Sequence, residues 1–210
     1  VILEIATMNL GRRTLLATSL ALGLALTNIH PVEAKTPPTM LVMAKSISDL
    51  ITLDPAEVFE LTGGEVIGNV YDRVMMFEAE DLTTLVGGIT ESHEVSADGK
   101  TITFKIRTGQ TFHSGNPVTA EDAEFSLRRV MYLNKTPAFI LTQFGWDKDN
   151  VDAHIKATGP MTLMVKNNSD FSAGLLLNAL SAGVGSVVDK KTVMSHAKDG
   201  DHGYEWLKNH

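Results

Sequence analysis

The stretch Thr111–Met131, TFHSGNPVTAEDAEFSLRRVM, limits the fold of this chain more than any other. It runs from a Gly-Asn-Pro loop into a strongly signalled helix. Thr119 follows Pro117-Val118 and is a natural N-cap, because a hydroxyl there can serve a backbone N–H left unpaired at a helix start. Asp122 lies three positions on, where an acidic side chain acts as in a capping box. Glu121 and Asp122 put negative charge in the first turn, and Arg128 and Arg129 fall in the C-terminal half, both favourable to the helix dipole. Ala123, Leu127, Val130 and Met131 repeat at i, i+4, i+7 and i+8 and make one apolar stripe. The spacing predicts a helix over residues 120–133, one face buried, held by a rigid loop.

A second firm element precedes it. Asp98-Gly99 sits between Ser96 and Lys100 and favours the positive φ of a tight hairpin turn. After it Ile102, Phe104 and Ile106 alternate with Thr101, Thr103, Lys105 and Arg107, the period of a half-buried strand. Other elements are less sharply written. Residues 40–44, MLVMA, read as a buried strand. Asp54-Pro55 marks a break. Residues 56–76 read as two helical pieces about Gly63-Gly64, the firmer near 65–71. Residues 82–85 form a short strand or turn, and 86–90 a loop. Residues 134–150 form a loop carrying Phe139, Phe144 and Trp146. Residues 151–156 and 161–165 make a second hairpin about Thr158-Gly159-Pro160. Residues 171–180 are helical, 181–186 a small-residue loop, 187–188 a strand and 190–198 a helix.

The N-terminus bears on location. Gly11-Arg12-Arg13 precedes an apolar run over residues 15–26, and Val32-Glu33-Ala34 supplies small residues for cleavage. Charged region, apolar core and cleavage site stand in the order of an export signal. The run is shorter than the ~20 residues a membrane span takes. Residues 1–7 therefore read as an upstream extension, 8–34 as a signal peptide cut after Ala34, and 35–210 as the exported part. The adjacent arginines resemble a twin-arginine signal imperfectly, so the Sec and Tat routes both stay open. A formal net charge of -7 argues against a nucleic-acid partner, which a basic patch usually marks. Without cysteine there is no disulfide, thiolate metal site or Cys nucleophile.

Catalytic patterns are missing. The 7 histidines are His30, His93, His113, His154, His196, His202 and His210, and none sits in an H-E-x-x-H spacing. His196 and His202, with Asp199 and Asp201 between them, read as a solvated loop. There is no Gly-x-Ser-x-Gly elbow. Gly183-Val-Gly185 lacks the third glycine of a dinucleotide fingerprint, and no Gly-Lys-Ser/Thr marks a phosphate loop. Glu78, Glu80 and Asp81 read as an acidic turn. No catalytic residue, metal site or cofactor is expected.

Phe112-His-Ser-Gly115-Asn-Pro117-Val-Thr119-Ala-Glu-Asp122-Ala-Glu-Phe125-Ser closely resembles the signature of the large solute-binding proteins of ABC importers, the peptide and nickel-binding family 5. Ala123 stands where that signature commonly has Val. Leu53-Asp54-Pro55, Val70-Tyr71-Asp72-Arg73-Val74 and Glu94 to Arg107 follow the family's order, and the resemblance runs from about Met40 to the end. It implies an α/β fold, the N-terminal lobe of a two-lobe periplasmic-binding-protein fold (type II-like), incomplete. Family members run to more than twice this length, and a G-T-G-P-Y-like motif normally follows. The chain is thus expected to be an N-terminal fragment, its exposed apolar strand edges making it poorly soluble or molten.

The resemblance implies further a periplasmic protein, likewise exported, that binds a di- or oligopeptide between its lobes as a monomer. It would deliver the peptide to an inner-membrane permease, without enzymatic activity. Nickel or haem are alternative ligands. An exported hydrolase, or an interaction protein that has lost transport through truncation, are readings of other classes. Cleft-facing residues carried over from the family are Ser46 and Ile47, Asp54 and Phe59, Phe139 and Trp146, and Ser181, Gly183 and Ser186. Each has a packing alternative: turn chemistry for Ser46, core for Trp146, close helix contact for the 181–186 loop.

Overall fold

The computed structural model describes residues 36–209. The signal-peptide reading falls on residues outside these. The chain divides into two units, residues 1–45 and 46–210. Of the first, residues 36–45 hold a turn closed by Met40 N–H donating to Pro37 C=O at 2.9 Å. The strand expected at residues 40–44 is not formed, and Leu41 is 91% exposed. An apolar run becomes a strand only when a neighbour takes its backbone groups, and no described strand pairs with it.

The second unit holds turns at residues 48–49 and 55–57 ahead of helix α1, Leu61–Val70. The two expected pieces are one helix running through Gly63-Gly64. A Cβ on Gly63 would meet Glu60 Oε1 at 2.6 Å, so that glycine allows a close approach. Strand β1, Met75–Phe77, pairs antiparallel with β2, Leu85–Gly87. The sequence pattern placed the former in a helix and most of the latter in a loop. Three-residue strands are too short to show a period.

Strands β3, Thr90–Val95, and β4, Thr101–Ile106, form the expected hairpin, with Gly99 at φ +70 in its turn. Ile102, Phe104 and Ile106 are fully buried. With β5, Ile155–Gly159, and β6, Thr162–Lys166, they make a four-stranded antiparallel sheet in the order β3-β4-β6-β5. The second hairpin therefore lies later than its pattern indicated. Asp147 Oδ1 accepts from the N–H groups of Asp149 and Asn150 at 2.8 and 2.9 Å. This side-chain turn leads Val151–His154 into a helical turn, α4, before the strand starts. The outer strand β3 carries exposed Glu91, Ser92, His93 and Glu94 and a register shift between Thr90 and Ser92. Charge and a bulge both discourage edge pairing, so the expected apolar edge is not found there.

Helix α2, Ala120–Leu133, has the predicted bounds. The Asp122 carboxylate accepts from Thr119 N–H at 2.9 Å and from Thr119 Oγ1 at 2.6 Å. Asn134, at φ 46, ends the helix in the left-handed conformation. Its stripe packs on the sheet, chiefly against β5 and β6, and Leu127, Val130 and Met131 share one buried cluster with Ile155, Leu163 and Val165. After a 3-10 turn at Thr136–Ala138 come α3, Phe139–Thr142, and, beyond β6, α5, Ala173–Ala179, capped by Ser172. A 3-10 turn at Gly183–Gly185 leads to α6, Lys190–Ser195, and α7, Tyr204–Asn209. No strand forms at Val187-Val188. Instead Arg73 and Ser186 make an isolated bridge and Val187 N–H donates to Asp72 C=O at 2.9 Å.

The Gly-Asn-Pro loop is tied to α6 through Asp189. Its carboxylate accepts from Ser114 Oγ at 2.6 Å, Asn116 Nδ2 at 2.8 Å and Thr192 Oγ1 at 2.5 Å. Burial pushes this carboxyl up, but the bonds from Ser114, Thr192 and Asn116 outweigh it and hold the group well below the usual carboxylate range. A folded-state value below the unfolded one stabilises the fold above the unfolded value, near 3.9. That contribution is lost as pH falls through the folded value. The melting temperature, followed by circular dichroism below about pH 4, should therefore fall more steeply for the native sequence than for Asp189→Asn. Equal slopes would rule out this role for Asp189.

Candidate ligand-facing surface

The nine residues assigned to a cleft separate into two groups. Ser46 and Ile47 are exposed, with Ser46 Oγ and Ser48 Oγ 3.1 Å apart. Phe59 and Phe139 are 54% and 56% exposed, large values for phenylalanine. Their rings meet edge to face, centroids 5.4 Å apart and planes at 84°. Phe59 comes from the turn before α1 and Phe139 from the first turn of α3, so two distant segments build one aromatic corner. Such pairs contribute about 0.5–1.5 kcal/mol beyond area burial, which helps hold the corner in place while leaving ring surface open.

The other group is engaged inside. Asp54 is 0% exposed and its two carboxylate oxygens accept from Arg129 Nη1 and Nη2, each at 2.6 Å. Asp54 Oδ1 also accepts from Ala56 N–H at 3.0 Å, which shapes the turn leading to Phe59. Arg129, 1% exposed, donates from Nε to His202 C=O at 2.8 Å. Asp54 is therefore half of a buried clamp and offers no surface to a ligand. Trp146 is 1% exposed, and its Nε1–H donates to Lys166 C=O at 2.8 Å. It fills the core beside Phe144, against the expectation that it faces a cleft. Ser181 is buried, donating to Asn178 C=O at 2.7 Å and accepting at its own C=O from Arg73 at 2.8 Å. A Cβ on Gly183 would stand 3.0 Å from Ile67 Cδ1, and one on Gly185 2.0 Å from Leu180 C=O. Ser186 is 3% exposed. The small residues of this loop serve close packing on α1 and α5.

Two exposed residues near the aromatic corner were not singled out from the sequence. Ile51 is 66% exposed and its N–H donates to Glu60 Oε1 at 3.1 Å. Leu61, 89% exposed, opens α1. Elsewhere an apolar groove of about 470 Å³ is lined by Tyr71, Phe112, Val188, Val193, Trp206 and Leu207, among others. Burial raises the Tyr71 phenol above its ordinary value, the nearby Asp54 adding to the effect and Arg129 opposing it. Among the described residues no group of three or more His, Asp or Glu is gathered as metal ligands.

Residues 84–209 match the family described as bacterial extracellular solute-binding proteins, family 5, middle. The chain belongs to this family. Over 190 residues it is 28% identical to the probable D,D-dipeptide-binding periplasmic protein DdpA of Escherichia coli K12, covering 89% of this chain and 34% of that protein. It is 28% identical over 127 residues to the oligopeptide-binding protein OppA of Bacillus subtilis, covering 56% of this chain and 23% of that one. The chain thus spans about a third or less of these relatives' length. The fold is similar to Haemophilus influenzae OppA in complex with the peptide RPPGFSPFR, with TM-score 0.61, 24% identity, and coverage of 75% of this chain and 31% of that. It is also similar to an oligopeptide ABC transporter substrate-binding domain from Bacillus anthracis, at TM-score 0.60 and 23% identity, covering 70% and 29%. These likenesses show the fold: the described residues fold like part of the OppA structures.

Proposed function

We propose that this chain is the N-terminal part of the periplasmic solute-binding component of an ABC importer that binds di- or oligopeptides. Residues 8–34 are its export signal, cut after Ala34, and residues 35–210 belong to the binding protein. The exposed Phe59–Phe139 corner, with Ser46 and Ile47, forms part of one wall of the ligand cleft, and the loaded protein passes its peptide to an inner-membrane permease. It acts as a monomer and carries out no chemistry on its cargo. The observation that carries this reading is the aromatic pair, held edge to face yet more than half exposed. Contiguous apolar surface left open on a soluble protein commonly marks a docking site. The names of the relatives, which describe dipeptide and oligopeptide binding, support a peptide as the occupant.

The test is calorimetry of the protein with a panel of defined di- to oligopeptides. Phe139→Ala should weaken the best peptide about 10-fold, the effect of losing roughly 1.4 kcal/mol of apolar contact. Its melting temperature should fall by no more than about 6 °C, the share of the lost ring pair. Unchanged affinity would remove the corner from the site. Failure of every peptide to bind would favour an interaction protein without transport function.

A further inference from the structure

Ser186 presents a side-chain hydroxyl that is buried and has no hydrogen-bond partner among the described residues. Native interiors pair nearly all such groups, with protein or with ordered water. Beside it lies a small cavity of about 10 Å³, whose walls include Pro55, Ser126, Arg129, Val130 and Val188. One buried water needs roughly 10–15 Å³ by this measure, together with two to four polar partners. The walls supply them. Arg129 makes three hydrogen bonds, two to Asp54 and one to His202. A guanidinium has more N–H groups than that to offer. Ser126 Oγ donates to Asp122 C=O at 2.7 Å and accepts from Val188 N–H at 2.9 Å. Its oxygen retains a second lone pair. Purely apolar cavities stay dry, but this one gathers a cation and two hydroxyls.

We propose that this cavity is a binding site for one ordered water, which accepts from an Arg129 N–H and bonds the Ser186 hydroxyl. Ser126 Oγ is the third partner. The water joins the Asp54–Arg129 clamp to the 181–186 loop, so that the segment leading to Phe59, helix α2 and the small-residue loop share one polar node. The inference rests on packing and polar satisfaction, and it stands whichever solute the protein carries.

The sign of one substitution decides it. Ser186→Ala adds no volume and removes the hydroxyl. With the water present, Ala deprives it of a partner, and the melting temperature falls by roughly 2–4 °C. With a dry cavity, Ala removes an unpaired buried group, and the melting temperature stays or rises, which overturns the proposal. A crystal structure of the unsubstituted protein at a resolution that shows ordered water provides the second reading. Density within about 2.7–3.2 Å of both Ser186 Oγ and an Arg129 nitrogen supports the site. An empty cavity, or Ser186 turned to a backbone carbonyl, overturns it.

Discussion

Replacing Arg129 with alanine should lower the melting temperature by roughly 6–20 °C, the range set by a loss of about 3–5 kcal/mol at about 2–4 °C per kcal/mol. The size comes from what the substitution leaves behind. Asp54 is 0% exposed and Arg129 1% exposed, with both bonds between them at 2.6 Å. Without the guanidinium the carboxylate stays buried with no opposite charge, and His202 C=O loses its donor as well. The cost is that of an uncompensated buried charge, not the net worth of the pair, because desolvation offsets much of the attraction when both members are present. The double variant Asp54→Leu/Arg129→Met should therefore be far less destabilised than the sum of its single changes. Thermal melts of the four proteins in this cycle check the claim. A single-variant shift below about 2 °C, or strict additivity, would show that the pair is not the clamp its geometry describes.

Trp146→Ala should cost about 3–5 kcal/mol, the range for deleting a large buried aromatic. Trp146 packs with Phe144 at a centroid distance of 5.6 Å and keeps its indole N–H bonded to Lys166 C=O. Alanine leaves a void lined by Phe144 and the sheet and takes away that donor. Trp146→Phe should cost less than half as much, since it retains most of the volume. Denaturant unfolding measures both. The comparison with Phe139→Ala is informative because the two aromatics lie in one loop region of the sequence. Loss of stability at 146 with loss of affinity at 139 separates core from surface. The reverse pattern would mean that the two rings had been assigned to the wrong sides.

That pair also shows where sequence reading stops. Phe139 and Trp146 sit in a segment without clear periodicity, and both were assigned to a cleft by resemblance. Inside and outside were undecidable locally, because no apolar period in the segment separates the exposed Phe139 from the buried Trp146. Asp54 was misplaced for a related reason. Its neighbour Pro55 marked a turn correctly, but its partner lies 75 residues away in α2. Ser181 and Gly183 looked like a loop that admits a ligand, and they turn out to admit α1. Small residues permit both kinds of approach, and composition does not distinguish them.

The parts read correctly have their causes within a few residues of one another. Asp98-Gly99 makes its turn, and the alternation after it buries Ile102, Phe104 and Ile106. Thr119 and Asp122 start α2 at its predicted residue, since both the capping groups and the apolar stripe repeat inside one helix. The signature motif likewise carried the family. Short strands such as β1 and β2 hold too few residues to show a period, the late start of β5 follows the Asp147 turn and α4, and the run at 40–44 has no pairing strand among the described residues. By itself, then, the sequence determined the hairpin, the long helix and the kinship, because those rest on local φ, ψ and periodicity. Which acid meets Arg129, which aromatic stays in solvent and which loop is packed shut were decided only by tertiary structure, where burial and charge pairing act between residues that the chain keeps far apart.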